Sequence, residues 1–414
     1  MMNAASSAEQ SLPRNTILLI CCAGLVSGLA LGSRHVQGLF MLPLLGEHGW
    51  GRETFSFAMG IQALVWGLAQ PLTGLLADKF GTRNVILGGC VIYATGLVME
   101  ALAGTTTLLA LGAGAVVGIG LTATSFAVVY GAVSRLVEPR FRGTAQGMSG
   151  AVGGVVTFLM VPFTQLGIDV IGWSNTLQVL AVAILIASAC AWVLDDRSAG
   201  PGERTSPDVA PPVGPVIAAA WRHSGFWLLN LGFISCGFQL AFLATHLPAY
   251  LKDAGMSAQA GVNAIAIIAL ANAGGTYLFG RLGDAYRTKY VLATLYTIRT
   301  LSMIAFVATP LSEVSLYIFV LVIGATWLGT APLTMGILTQ IFGVRYIATL
   351  FGMVFMGHQL GGFAGSWLGG IFYDRTQSYS AMWAISIGLG VASILLNLPI
   401  RDQSVESRFE VKTV

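Results

Sequence analysis

The chain has 414 residues, of which 55% are hydrophobic and only 9% charged, with a mean hydropathy of +0.76 and a formal charge of +3. A soluble domain carries about 25% charged residues, so this chain cannot cover itself for water and the bilayer must be its solvent. The small net charge gives no reason to expect nucleic acid as a partner. The five cysteines, Cys21, Cys22, Cys90, Cys190 and Cys236, all sit in apolar stretches without CxxC spacing, and read as small buried hydrophobes rather than metal ligands or redox pairs.

A bilayer-crossing helix needs roughly 20 apolar residues. That rule predicts twelve spans, near 16–42, 54–76, 84–104, 107–133, 143–165, 173–194, 225–249, 261–281, 289–309, 314–338, 346–370 and 379–400. The polar N-terminus carries one cation, Arg14, and the apolar run after it is too long for a signal-peptide core, so it reads as an uncleaved first span. After the sixth span comes DDRSAGPGERTSPDVAPPVGP, whose Pro, Gly, Ser and charge content marks a solvated linker. The expected organisation is an all-α membrane protein with a six-helix bundle over 1–194, a linker over 195–224 and a second six-helix bundle over 225–414. If the N-terminus lies in the cytoplasm, sixteen Lys and Arg residues fall inside and only Arg52, Lys252 and Arg375 outside. The positive-inside rule then places both termini and the linker in the cytoplasm.

Charge within the spans is sparse. Arg34, Arg299, His35 and His358 fall toward the membrane middle, whereas every Asp and Glu can be placed near a loop or span end. An unpaired cation in hydrocarbon costs a contested ~2.5 kcal/mol or more, and an anionic substrate is a natural way to complete the charge. Arg34 is therefore the leading substrate residue, since a guanidinium grips a carboxylate through two parallel hydrogen bonds. The alternative is that Arg34 bonds backbone carbonyls or reaches the outer interface. Arg299 reads as structural, paired with a neighbouring helix. His358, followed by Gln359, could accept a transported proton or bond across helices as a neutral ring. Gln239, Asn272 and Trp327 lie at similar depth and join Arg34, His358 and Gln359 as candidate substrate-binding residues. Gln62, Thr122, Thr124, Thr276 and Thr330 read as inter-helix glue.

One segment occurs twice. GLLADKFGTR at 74–83 is answered by GRLGDAYRTK at 280–289, pairing Gly74 with Gly280, Asp78 with Asp284 and Arg83 with Lys289, each 206 positions apart. A duplicated membrane domain with the same charged loop in each half points to a secondary transporter of two similar bundles.

The pattern G-x-L-A-D-x-x-G-x-R resembles the signature loop of the major facilitator superfamily, with Arg287 in the second copy where the first has Gly81. The resemblance implies two pseudo-symmetric six-helix bundles and makes Gly74, Asp78, Arg83, Gly280, Asp284 and Lys289 conformational-switch residues. It also implies that spans one, four, seven and ten line the path, which puts Arg34 on it, and that span nine, with Arg299, supports it from outside. GSRHVQGLF running into LPLLGEHGWGRETFS, WGLAQPLTGLLADKFG and GHQLGGFAGSWLGGIFYD resemble the bacterial monocarboxylate-porter-like branch. In monocarboxylate porters a span-one cation matches Arg34, but the span-eight arginine and its accompanying acid fall here at Thr276 and Asn272. The resemblance implies a transporter rather than an enzyme, moving a small organic anion by alternating access across the bacterial inner membrane. Protons are the expected coupling ion, since no acid-rich cation site shows, and ATP drive is not expected without a GxxxxGK[ST] loop. No cofactor or metal is implied, the bilayer is the surrounding partner, and a monomer is expected. The rival reading is an exporter of drug-like or weakly charged molecules.

Overall fold

The computed structural model describes residues 14–137, 142–196, 213–342 and 347–403. The side chains of Asp78 and Asp284 lie outside the described residues, as does the linker over 197–212. Among the described residues the chain is helical and contains no strand.

The first bundle comprises α1 (Arg14–His35), α2 (Arg52–Phe80), α3 (Thr82–Ala101), α4 (Thr106–Val133), α5 (Arg142–Ile171) and α6 (Trp173–Trp192). The second comprises α7 (Ser224–Asp253), α8 (Ala258–Ala285), α9 (Thr288–Ala308), α10 (Glu313–Phe342), α11 (Ile347–Thr376) and α12 (Ser380–Asn397). Among the described residues, eleven helices are long and apolar enough to cross a membrane. The remaining one, α11, is 30 residues long but diluted in its middle by His358, Gln359 and glycines. Two apolar cores form, one mainly from α1–α6 and one from α7–α12.

Several helices depart from the single cylinders expected. After Val36, α1 continues as a short helix, Gln37–His48. The Gly- and Ala-rich stretch Ala110–Val116 of α4 winds wider than an α-helix, and α4 breaks at Ser125, whose backbone is extended. The helix α10 breaks between Ala325 and Thr330, where Gly324, Gly329 and Pro332 weaken helix propensity and Pro332 has no N–H to continue the ladder. Hydroxyls at both breaks turn back on their own helices: Thr122 and Thr124 bond the carbonyls of Ile119 and Gly120, and Thr326 that of Val322. Two further segments differ from the sequence expectation. Asp195 and Asp196, read as linker, are tied to Thr82 and Arg83 at the start of α3 and to Arg135 just after α4, and Val213–Arg222 is helical.

The bundles meet along α2 with α11 and α5 with α8. At one end they are sealed. Arg52 at the start of α2 bonds Asp253 of α7 at 2.8 Å and Tyr379 at 2.8 Å, and its guanidinium lies 3.7 Å from the Tyr373 ring centre. Asp374 of α11 accepts the backbone N–H groups of Arg52 and Glu53, at 3.0 and 2.8 Å. It thereby satisfies two of the four unpaired donors that open α2. Toward the other end lies a cavity of about 620 Å³, lined by Gly147 of α5 and by Thr276, Gly280 and Arg281 of α8 and Gln340 of α10.

Candidate substrate site

Just inside the sealed end, a cavity of about 20 Å³ lies between the bundles, lined by Arg34, Gln37, Met59, Gln62, Ala241, Ala244, Thr245 and Ser366. That is about the room one water needs. Arg34, in the last turn of α1, is half-buried and donates to Gln62 Oε1, with its guanidinium 5.2 Å from the Trp66 ring centre. Gln62 is itself fixed, because its amide donates to the Ala113 carbonyl of the wide turn in α4 at 2.7 Å. Across the cavity the Thr245 and Ser366 hydroxyls bond each other at 3.1 Å. Among the described residues no carboxylate bonds Arg34. The backbone-carbonyl alternative for Arg34 is not the geometry observed; its partners are an amide oxygen and an aromatic face.

The other candidates separate. His358 Nδ1 lies 3.1 Å from Gln359 Oε1, with its ring stacked on Phe355 and tilted against Phe233. Gln359 is buried facing α2 at Gly67, and its Nε2 has no partner. The structure turns Gln239 away from the cavity, to donate to the Ser386 carbonyl of α12 at 2.8 Å. Asn272 is occupied in holding the α10 break, accepting the Leu328 N–H at 3.0 Å and the Thr276 hydroxyl at 3.2 Å. The Trp327 ring lies 6.0 Å from that of His35, so it does reach between the bundles. Arg299 is fully buried and donates to the freed Thr326 and Trp327 carbonyls of the same break and to Cys236 Sγ. Its charge is spread over backbone dipoles, as a structural role requires.

The described side chains Arg83 and Lys289 of the repeated loops bond within their own bundles. Arg83 pairs with Asp195 at 2.7 Å, while Asp196 accepts the Thr82 N–H at 2.9 Å, the Thr82 hydroxyl and Arg135. Lys289 donates to the Ile400 carbonyl at 2.7 Å and lies 3.8 Å from Asp402, which also pairs with Arg287 at 2.8 Å. Asp196 and Asp402 share the 206-position offset of the loops, so the repeat extends to the end of each bundle's sixth helix. Burial opposes the charge of Asp196, but the Thr82 donors and Arg135 hold it below the usual carboxylate range. Burial likewise opposes the charge of Asp402, and Arg287 and Lys289 overcome it. Gly74 and Gly280 have open space where a side chain would stand.

Sequence reasoning missed Gln37 and Glu100. Gln37 lies three residues after Arg34, a spacing that could have flagged it as sharing Arg34's face. Glu100, next to the last residue of α3, looked like a span-end acid, yet it is fully buried and accepts from Gln37 Nε2 at 3.1 Å. Its depth comes from packing: the wide turn of α4 lies against it, with Gly112 so close that a Cβ would stand 3.0 Å from the Glu100 nitrogen.

Comparison with known proteins places this geometry. The model of the Major Facilitator Superfamily matches residues 20–366. Mouse monocarboxylate transporter 11 is 28% identical over 388 residues, covering 90% of this chain and 85% of the relative. The uncharacterized MFS-type transporter YcxA of Bacillus subtilis is 25% identical, covering 88% and 90%, and bovine monocarboxylate transporter 13 is 25% identical, covering 92% and 89%. Among solved structures, a bacterial homolog to the human lysosomal transporter Spinster, inward-facing and unoccupied, superposes with a TM-score of 0.71 at 16% identity, over 94% of this chain and 95% of that one. That likeness concerns the fold. With its paired bundles, its repeated loop and a family match over most of its length, the chain is a membrane transporter of the Major Facilitator Superfamily.

Proposed function

We propose that this transporter moves a small organic anion, a carboxylate, together with protons across the bacterial inner membrane by alternating access. The observation that carries this reading is Arg34, a cation inside a span, at a cavity between the bundles, bonded by Gln62 and faced by Trp66 but with no carboxylate bonded to it among the described residues. A guanidinium so placed keeps donors for a planar anion. The relatives named monocarboxylate transporters agree with that substrate class. The sealed end with Arg52, Asp253 and Asp374 corresponds to the outer face, and the end with the repeated loops to the cytoplasm, in keeping with the charge distribution. Gln239 and Asn272, engaged in packing, are replaced in the proposed site by Gln37 and Gln62. His358, Gln359 and Trp327 stay as the second bundle's candidates.

A thermal-shift screen of purified protein against pyruvate, lactate, benzoate and dicarboxylates tests the reading, because a ligand that binds the folded state raises its stability. The acid that stabilises the wild type should be taken up by proteoliposomes under an inward proton gradient. Arg34→Gln, in folded protein, should weaken its binding by roughly 30-fold or more, as for the loss of a buried charged partner. Undiminished uptake by Arg34→Gln defeats the role of Arg34, and stabilisation by lipophilic cations rather than acids favours the exporter.

A further inference from the structure

The inference concerns Glu100 and rests on the reading of Arg34 as the anion's partner. Glu100 and Gln37 are 0% and 2% exposed. One Glu100 oxygen accepts from Gln37 Nε2 at 3.1 Å; the other has no partner, and neither has Gln37 Oε1. Gln37 also lines the cavity that Arg34 enters. Gln37 thus bonds the Glu100 carboxyl and shares a cavity wall with the Arg34 guanidinium, which comes three residues before it in the chain.

We propose that Glu100 is the proton-carrying carboxyl of the transport cycle, and that it trades charge with the substrate at Arg34 across Gln37. With the site empty, an ionised Glu100 balances Arg34 and the cluster is neutral. With the site loaded, the substrate's carboxylate balances Arg34, and Glu100 must then carry a proton. Either mixed state, an anion beside ionised Glu100 or an empty site beside protonated Glu100, leaves a net charge in a low-dielectric setting, which is heavily penalised. Anion and proton therefore enter and leave together. The step is balanced: a proton from cavity water forms an O–H bond on one Glu100 oxygen on loading, and the same bond breaks to return it to water on release. Gln37 suits the intermediary, because its amide offers a donor to the carboxylate and its free Oε1 can accept from the protonated acid after a small rotation.

Among the described residues, few other titratable groups lie on the elements packed around Glu100. On its own helix there is Tyr93, whose hydroxyl donates to the Ala30 carbonyl and which feels both Arg34 and Glu100. From α1 there is Arg34, with His35 held to the Leu31 carbonyl. The Ala110–Val116 turn of α4 brings none. Toward α6, Glu47 is bonded by Trp173, and His48 by the Leu44 carbonyl.

Infrared titration of the carboxyl C=O band tests the proposal without a substrate. A band present in the wild type should vanish in Glu100→Gln, return in Glu100→Asp, and titrate at a different pH in Arg34→Gln. No band lost with Glu100, or an unchanged titration in Arg34→Gln, overturns it. In proteoliposomes, with radiolabelled pyruvate as probe, Glu100→Gln should exchange pyruvate across the membrane yet lose accumulation driven by a proton gradient by on the order of tenfold. Glu100→Asp should recover accumulation. Gradient-driven accumulation at the wild-type level in Glu100→Gln overturns the proposal. A wild type that moves no pyruvate while the infrared coupling holds counts against pyruvate-like cargo and upholds Glu100 as the proton site.

Discussion

Asn272 of α8 accepts the Leu328 N–H at the break of α10, 3.0 Å away, and Trp66 of α2 reaches the break of α4 at the equivalent place. Asn272 and Trp66 are 206 positions apart, as are Thr276 and Gln70, their partners one turn later. In the first bundle Trp66 Nε1 donates to Gln70 Oε1 at 2.8 Å, and Gln70 Nε2 donates to the Thr122 carbonyl at 3.1 Å. In the second, Thr276 donates to Asn272. Each bundle thus clasps its broken fourth helix with a polar pair on its second. In the second bundle Asn272 thus holds backbone and Thr276 holds Asn272. Asn272→Leu should leave the Leu328 N–H without an acceptor and lower stability by about 1–3 kcal/mol. Asn272→Asp, which keeps an acceptor, should lose less. Melting of the detergent-solubilised variants reads both.

Arg299 grips the same break from the other side. Arg299→Met removes the donors to the Thr326 and Trp327 carbonyls and strands them in a dry interior, so a loss of roughly 2–4 kcal/mol is expected. Arg299→Lys should recover only part, because a single ammonium cannot span groups that the planar fork reaches together. Equal melting temperatures for Arg299→Met and wild type contradict this assignment.

The sealed end depends on Arg52, which joins α2 to Asp253 and Tyr379 of the other bundle. Arg52→Ala should shift the population toward a state open at that end. With the five native cysteines replaced, spin labels at Gly104 and Glu313 should report a longer or broader distance distribution in the variant. An unchanged distribution means that the Asp374 caps on Arg52 and Glu53 suffice for closure.

Asp196 and Asp402 give a pH dependence with a definite sign. Each is held below its ordinary value of 3.8 in the folded chain. Their stabilisation is therefore present above that value and is lost as pH falls through the lower folded one. Asp196→Asn should lower the melting temperature at neutral pH, and the gap to wild type should narrow as pH drops below about 4. Asp402→Asn should behave alike with a smaller gap, since its partner Arg287 is largely exposed. A gap that widens in acid contradicts the sign.

Backbone contact sets a limit on α7. A Cβ at Gly237 would run into the His358 carbonyl of α11, a fixed backbone group. Gly237→Ala should force the two helices apart and lower the yield of folded protein well below that of Gly274→Ala, where nothing lies within reach of a Cβ. Fluorescence size-exclusion chromatography of the two variants compares them directly.

Fold class and family were legible from composition and from the 206-residue repeat, because a bilayer admits few architectures and the duplicated loop has a recognisable pattern. The hydropathy that marks a span is a sum over about 20 residues, so it survives local irregularity; for the same reason it could not register the breaks at Ser125 and Thr326–Gly329. Arg34 stood out because a cation within apolar sequence is rare. Its setting did not, because Gln62, Thr245 and Ser366 come from three other helices whose rotation no one-dimensional pattern fixes. Asn272 and Gln239 looked like ligands at the right depth, but packing committed them to a helix break and to Ser386. Glu100 shows the difference most plainly. Sequence distance put it at the end of a span, beside water, and the close approach of α4 at Gly112 together with Gln37 closed it off, because burial depends on what packs against a residue and not on its place along the helix.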